Sequence, residues 1–290
     1  MPRRLSLAVA MGINLTIVGG TYIWGKYTLL HIPPLPLGFL RFSLAAIFLT
    51  IGAKLYSPET KIEKKDIWKF ILLGFLVIPI NQLFFLFGLR LTTPAHSALM
   101  YSTLPIFIYV ISLFFREEHH AWLKNGGIAI GFLGVFLILN EQGIDFKSAY
   151  VLGDMLILTA VCSWAFYTVL GRPLIRKYGA FFVNARALSF GTLMFIPFAF
   201  YETINFDFGS VPLLAYGGVL YMATMTSIVA YTIWYWALKY LDSSKVGVVN
   251  NFQPVVTALM SFALFSETFT QMFIIGGIVV FIGVFMTLKG

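Results

Sequence analysis

The sequence predicts an all-α integral membrane fold: ten transmembrane helices arranged as two inverted five-helix repeats, with the N- and C-termini cytoplasmic. Three observations predict it: a composition too apolar for water, ten long apolar runs separated by short breaks, and a match between the two halves of the chain. The 290 residues are 59% hydrophobic and 11% charged, with a mean hydropathy of +0.86. A soluble chain carries roughly 25% charged and roughly 45–50% apolar residues, and one core of this size cannot hide the excess from water. A helix needs about 20 residues to cross about 30 Å of hydrocarbon. Ten spans therefore use about 200 residues and leave no room for a soluble domain. A cytosolic enzyme, a nucleic-acid-binding module and a disulfide-stapled secreted fold are excluded.

In chain order the apolar runs fall at about 5–27, 36–56, 67–89, 96–115, 122–140, 151–172, 180–200, 211–238, 244–266 and 270–288. Runs of this length are helices, because an open sheet in lipid would leave backbone groups unsatisfied. The first run has Arg3 and Arg4 ahead of it and an Ala8-Val9-Ala10 triplet that imitates a cleavage site. The triplet comes too early to follow a full apolar region, so the run is kept as an uncleaved span. With the N-terminus inside, fifteen of the 20 basic residues lie on inner connections or inner helix ends. Lys61, Lys64, Lys65, Arg116, Lys124, Arg172, Arg176, Lys177, Lys239 and Lys245 are among them, whereas Arg90 and Lys147 are outside with Glu141, Asp145, Glu202 and Asp207. This asymmetry is the positive-inside pattern, and it also accounts for the net charge of +8 without a nucleic-acid partner.

Shifted by 149 residues, the chain matches itself without gaps: residues 88–139 lie over 237–288. Leu89 meets Leu238, Pro105 meets Pro254, Ser112 meets Ser261, Glu118 meets Glu267, and Gly134-Val135-Phe136 meets Gly283-Val284-Phe285. At nearby offsets Trp24-x-x-Tyr27-Thr28 lies over Trp164-x-x-Tyr167-Thr168, and Arg41 over Arg186. The chain is thus read as two repeats, residues 1–143 and 144–290. Five spans per repeat is an odd number, so the second repeat enters the membrane upside down. That is the plan of secondary transporters, with a site near the bilayer midplane and two related conformations open to opposite sides.

These duplicated features resemble EamA-type members of the drug/metabolite transporter superfamily. The features are Trp24-Gly25 and Trp164-Ala165, Arg41 and Arg186, and the Gly88-Leu89-Arg90 and Ala237-Leu238-Lys239 steps, followed by Pro105 and Pro254, then Glu118 and Glu267. The resemblance covers about residues 5–288. It implies a ten-helix transporter of amino acids, nucleotide-like metabolites or drug-like compounds, often working outward.

Candidate substrate contacts are uncharged polar and aromatic residues inside spans. Pro105 and Pro254 are the expected hinges: each lacks an N–H and frees the carbonyl four residues earlier, that of Tyr101 or Asn250. Ser102, Asn251 and Gln253 gather at the same two places. Asn14 and Tyr22 lie on the first span, Asn81 and Gln82 on the third, Trp164 and Tyr167 on the sixth. Thr224, Ser227, Tyr231 and Trp234 form a helical-period stripe on the eighth. Amides can hydrogen-bond a ligand or join helices, and the aromatic rings can stack on it. Trp24 fits an interfacial anchor. Lys26, Arg41 and Arg186 lie near span ends and are expected to snorkel to the headgroups. The alternative for Lys26 and Arg41 is attraction of an anionic group such as a carboxylate.

No Asp or Glu falls near the middle of a predicted span, so the embedded carboxylate of a proton-for-cation exchanger is not evident. Asp154 reads as a helix N-cap, the lone Cys162 as a small packing residue, and His119 and His120 as a solvated inner loop rather than a metal site. His96, at the start of the fourth span, reads as interfacial. No catalytic residue, metal or cofactor is expected. The expected function is an exporter, uniporter or exchanger in the inner (plasma) membrane that moves a small neutral or zwitterionic metabolite, such as an amino acid, by alternating access. The alternative is a flippase subunit for a lipid or lipid-linked head group. The expected partners are a small-molecule substrate and the lipid bilayer, and the expected assembly is a monomer or loose dimer.

Overall fold

The computed structural model describes residues 2–56, 59–92, 94–141, 148–253, 256 and 271–290. Among the described residues there are helices and connections but no strand. The helices are α1 (Pro2–Leu29), α2 (Pro34–Tyr56), α3 (Ile67–Phe75), α4 (Asn81–Leu91), α5 (Pro94–Ser102), α6 (Leu104–Phe114) and α7 (Trp122–Glu141). They continue as α8 (Ser148–Tyr178), α9 (Ala180–Ile204), α10 (Leu213–Tyr221), α11 (Tyr231–Leu238), α12 (Ser243–Val249) and α13 (Gln271–Lys289). Six helical stretches are long and apolar enough to cross a bilayer: Leu5–Leu29, Pro34–Tyr56, Lys64–Leu91, Tyr150–Tyr178, Ala180–Ile204 and Leu213–Leu238. They coincide with predicted spans one, two, three, six, seven and eight. Of the predicted ninth span, the hinge Pro254 and the residues beyond it, apart from Val256, lie outside the described residues.

The outer surface is apolar. Ile47, Phe48, Val110, Leu193, Phe198 and Phe281 are each half exposed or more, which suits contact with acyl chains and would be a large unfavourable patch in water. Helix ends follow local chemistry. Between α8 and α9 only Gly179 intervenes, at φ 85°, a left-handed conformation that glycine adopts without a Cβ clash and that stops the helix.

Four irregularities break the helical ladders at depth, one of them the 3₁₀ turn Asn250–Phe252 that follows α12. Leu76–Ile80 is a π-helical segment containing Pro79 and joins α3 to α4. Met222–Ala230 is a longer π-helical segment joining α10 to α11. Thr103 separates α5 from α6, with Pro105 in the first turn of α6. Pro105 therefore interrupts a span that the apolar pattern alone reads as continuous.

Helices of the first half pack on helices of the second: α1 on α10, α2 on α9, α4 on α8, α6 on α12 and α7 on α13. The α7–α13 contact is the closest. A Cβ built on Gly134 would lie 2.6 Å from the Val280 backbone nitrogen and 2.8 Å from the Gly276 oxygen, and one on Gly283 would lie 2.6 Å from the Gly131 Cα. Small residues let membrane helices approach this closely.

The connections predicted as inner meet at one end of the bundle. There Glu118, whose side chain is 1% exposed, pairs with Lys124 at 2.8 Å and accepts hydrogen bonds from the Ser244 backbone at 2.9 Å and the Ser244 hydroxyl. Lys124 also reaches Asp242 at 3.3 Å. Arg172 pairs with Asp242 at 3.0 Å and donates to the Leu241 carbonyl at 3.1 Å. Burial pushes the Asp242 carboxyl upward, but Arg172 and Lys124 outweigh it and hold the group below its ordinary value. Nearby, Asp66 accepts from Lys69, Lys177 and Tyr178 at 2.7–2.9 Å. His119 and His120 are exposed, as expected. Leu7 near the N-terminus and Leu288 near the C-terminus line one groove. At the opposite end Lys26 donates to the Leu89 and Thr92 carbonyls at 2.8 and 2.7 Å, capping α4. Thr92 in turn donates to Asp154 at 2.7 Å. Asp154 is not an N-cap: α8 begins at Ser148, and the carboxylate bridges α8 to the end of α4.

Two stability outcomes are expected in detergent-solubilised protein. Gly134→Ala lowers stability by about 1–3 kcal/mol because its methyl meets backbone atoms. Gly277→Ala on α13, whose Cβ meets nothing within 4 Å, causes no loss; thermal unfolding of the two variants checks this. Glu118→Ala leaves Lys124 buried without its main partner and costs about 3–5 kcal/mol. The Glu118→Ala/Lys124→Ala double variant loses less than the sum of the singles in a double-mutant cycle.

Candidate functional site

The irregular segments converge on one cavity of about 60 Å³ between α1, α2, α4, α8 and the Met222–Ala230 and α11 stretch. Nine of the thirteen residues predicted to contact substrate line it: Asn14, Tyr22, Gln82, Tyr101, Trp164, Tyr231, Trp234, Asn250 and Gln253. Both halves of the chain contribute. The volume accommodates a few water molecules.

One wall is aromatic. Tyr22, Phe85 and Tyr101 make a mutual edge-to-face group with centroids 5.8–6.2 Å apart. Across from it Trp164 lies 4.6 Å from Tyr231 and 6.0 Å from Trp234. The Trp234 indole donates to Thr168 at 3.1 Å, which fixes the ring.

The polar wall is built around Arg41, which is 0% exposed. Its Nε donates to the Ser227 hydroxyl at 3.0 Å and one terminal nitrogen donates to Gln82 Oε1 at 2.9 Å. The other terminal nitrogen lies 3.5 Å from the Tyr231 hydroxyl. Gln82 donates onward to Asn81. Asn81 donates to the Ala160 carbonyl at 2.6 Å and to the Tyr101 hydroxyl at 3.2 Å. A continuous chain thus runs from α2 through α4 to α5 and α8. No Asp or Glu is among the lining residues.

Several buried polar atoms on the wall have no hydrogen-bond partner. Asn14 donates to the Ala230 carbonyl at 2.7 Å, which leaves its Oδ1 unpartnered, as are Asn250 Oδ1 and Gln253 Nε2. Unsatisfied buried polar atoms are rare in native structures and commonly mark a ligand or water position.

The other four predicted contacts sit behind the wall. Asn81 supports Gln82 and Tyr101. Ser102 bonds to the Leu99 carbonyl at 2.6 Å. Tyr167 stacks on Tyr235 at 4.7 Å behind Trp164. Asn251 points at Gly131 of α7. The sequence reading missed Val18, Thr21, Phe85, Thr226 and Ala230, and it named Arg41 but favoured snorkelling for it. Arg41 does not snorkel: it is the eighth residue of α2 and about 10 Å along it, a depth that was the available clue. Thr226, paired with Thr21 at 2.7 Å, lines the cavity where a regular helix would place Thr224. Thr224 instead bonds to its own Leu220 carbonyl. The π-helical segment turns the face by part of a turn, which a 3.6-residue period does not anticipate.

Comparison with known proteins agrees with this architecture. Residues 6–140 and 151–289 each match the EamA-like transporter family. An uncharacterized transporter of Archaeoglobus fulgidus is 29% identical over 282 residues, covering 96% of this chain and 95% of that protein. The uncharacterized transporter YetK of Bacillus subtilis is 27% identical, covering 98% and 87%. A probable amino-acid metabolite efflux pump of Salmonella typhimurium is 26% identical, covering 99% and 93%. One solved crystal structure shares the fold, with a TM-score of 0.74 at 19% identity over 96% of each chain. With helices long and apolar enough to cross a bilayer and a family match across nearly its whole length, the chain belongs to the EamA-like transporter family and is a multi-pass membrane transporter.

Proposed function

We propose that this transporter carries a small neutral or zwitterionic metabolite, an amino acid in the first instance, outward across the inner (plasma) membrane by alternating access through the cavity at Arg41. The single observation that carries the reading is the cavity itself. It is lined by residues of both halves, walled by amides and aromatic rings, and has unpartnered polar atoms.

Ten spans in two inverted repeats, with both termini cytoplasmic, complete the reading. Helix pairing supports the symmetry. By predicted span the first half meets the second as one with eight, three with six, two with seven, four with nine and five with ten. A two-fold axis exchanging the repeats maps this set onto itself. The termini lining one groove support an even number of crossings. Export of an amino acid draws on the Salmonella relative, a probable amino-acid metabolite efflux pump. Cargo enters when the helices around the cavity part, and pseudo-symmetry supplies an equivalent opening on the other side.

Proteoliposomes loaded with radiolabelled amino acids test the reading. Asn250→Ala and Tyr101→Ala each remove one cavity contact, and each is expected to weaken apparent affinity about tenfold, the effect of one hydrogen bond of roughly 1.4 kcal/mol. Asn251→Ala, against α7 and off the wall, is expected to keep the affinity. Unchanged affinity and rate in both cavity variants would overturn the assignment.

A further inference from the structure

Arg41 carries a charge that helix packing does not require. It is fully buried, and its hydrogen-bonding neighbours, Ser227, Gln82 and Tyr231, are all neutral. Among the described residues no carboxylate lines the cavity to balance it. An isolated buried ion costs several kcal/mol even after relaxation, and a neutral amide could bridge α2 to α4 without that cost. A guanidinium has five N–H donors in a planar fork that matches a carboxylate at two points. The three neutral neighbours leave donors available.

We infer that Arg41 is the receptor for a carboxylate of the cargo. The ion pair forms when cargo enters and supplies the missing counter-charge, while Ser227, Gln82 and Tyr231 hold the fork in place between transport events. Of the other unpartnered wall atoms, Gln253 Nε2 is a donor, and Asn14 Oδ1 and Asn250 Oδ1 are acceptors; the Asn14 amide nitrogen is already committed to the Ala230 carbonyl. The two acceptors fit the other end of the same molecule. Acceptors suit an ammonium, and Trp164, an aromatic ring of the kind that attracts cations, lines the same cavity. The inference rests on the cavity reading above and narrows it: cargo bears a carboxylate, and amines or cationic drugs that lack one are rejected because they leave Arg41 unpaired beside a second positive charge.

The test is a thermal-shift series on the purified full-length protein, using each of the standard amino acids, its amide and its decarboxylated amine. The amide and amine keep the ammonium and side chain and lose the carboxylate. At least one amino acid is expected to raise the unfolding midpoint of the unmodified protein, with its amide and amine binding at least about tenfold more weakly, the loss of one charged hydrogen-bonded contact. Arg41→Gln is expected to abolish the preference for the acid, and Arg41→Lys, a point charge without the fork, to weaken it. Circular dichroism checks that the variants are folded. If Arg41→Gln does not fold, the acid-to-amide comparison on the unmodified protein and on Arg41→Lys decides.

Equal binding of acid and amide, or undiminished acid binding by Arg41→Gln, would overturn the role of Arg41. The cavity reading would then still stand, provided Asn250→Ala weakened binding. If no acid, amide or amine shifts the midpoint and none is taken up by proteoliposomes, the amino-acid reading itself fails and the carboxylate assignment falls with it.

Discussion

The structure depends on one constraint: in hydrocarbon a backbone N–H or C=O has no water to turn to, so each must find its partner within the protein. That constraint makes the membrane-facing helices regular. It also means that irregular backbone is tolerated only where protein or a cavity surrounds it. The departures here obey that rule. The Leu76–Ile80 segment leads directly into Asn81 and Gln82, and Met222–Ala230 leads into Tyr231. The break at Thr103 follows Tyr101, and the 3₁₀ turn Asn250–Phe252 carries Asn250. Each departure adjoins a side chain of the cavity or its support. The same disruption that would be costly facing lipid is what brings polar side chains to the centre.

The helical, membrane-spanning character was legible because hydrophobic length is a property of whole segments, and averaging over 20 residues is forgiving. The candidate site was legible only in part, for a local reason. Knowing that Asn81, Tyr167 and Asn251 lie inside a span does not tell which way each points. Orientation changes by a third of a turn per residue or so, and one extra residue in a π-helical segment moves the following face. Thus Gln82 lines the cavity while adjacent Asn81 stands behind it, and Thr226 replaces Thr224. Arg41 was misread on a different ground. Charge near a span end commonly snorkels, and only the packing of α2 against α4 and the Met222–Ala230 segment reveals that this one has been drawn inward.

The two ends of the bundle are held differently. At one end the contacts are ionic and partly buried, joining Glu118 and Lys124 to Asp242, Arg172 and Ser244 across the two halves. At the other, Lys26 is tied to carbonyl oxygens at the end of α4, within its own half, and Thr92 donates to Asp154 across the two halves. Separating the halves at the first end exposes buried charge, which makes that end costly to part.

The glycine-lined contact of α7 with α13 has a consequence of another kind. Most helix interfaces interlock side chains, and locking them removes rotamer freedom. Where glycine meets backbone, as Gly283 does at Gly131, there is no rotamer to freeze. The entropic cost of closing that part of the seam falls on the main chain alone.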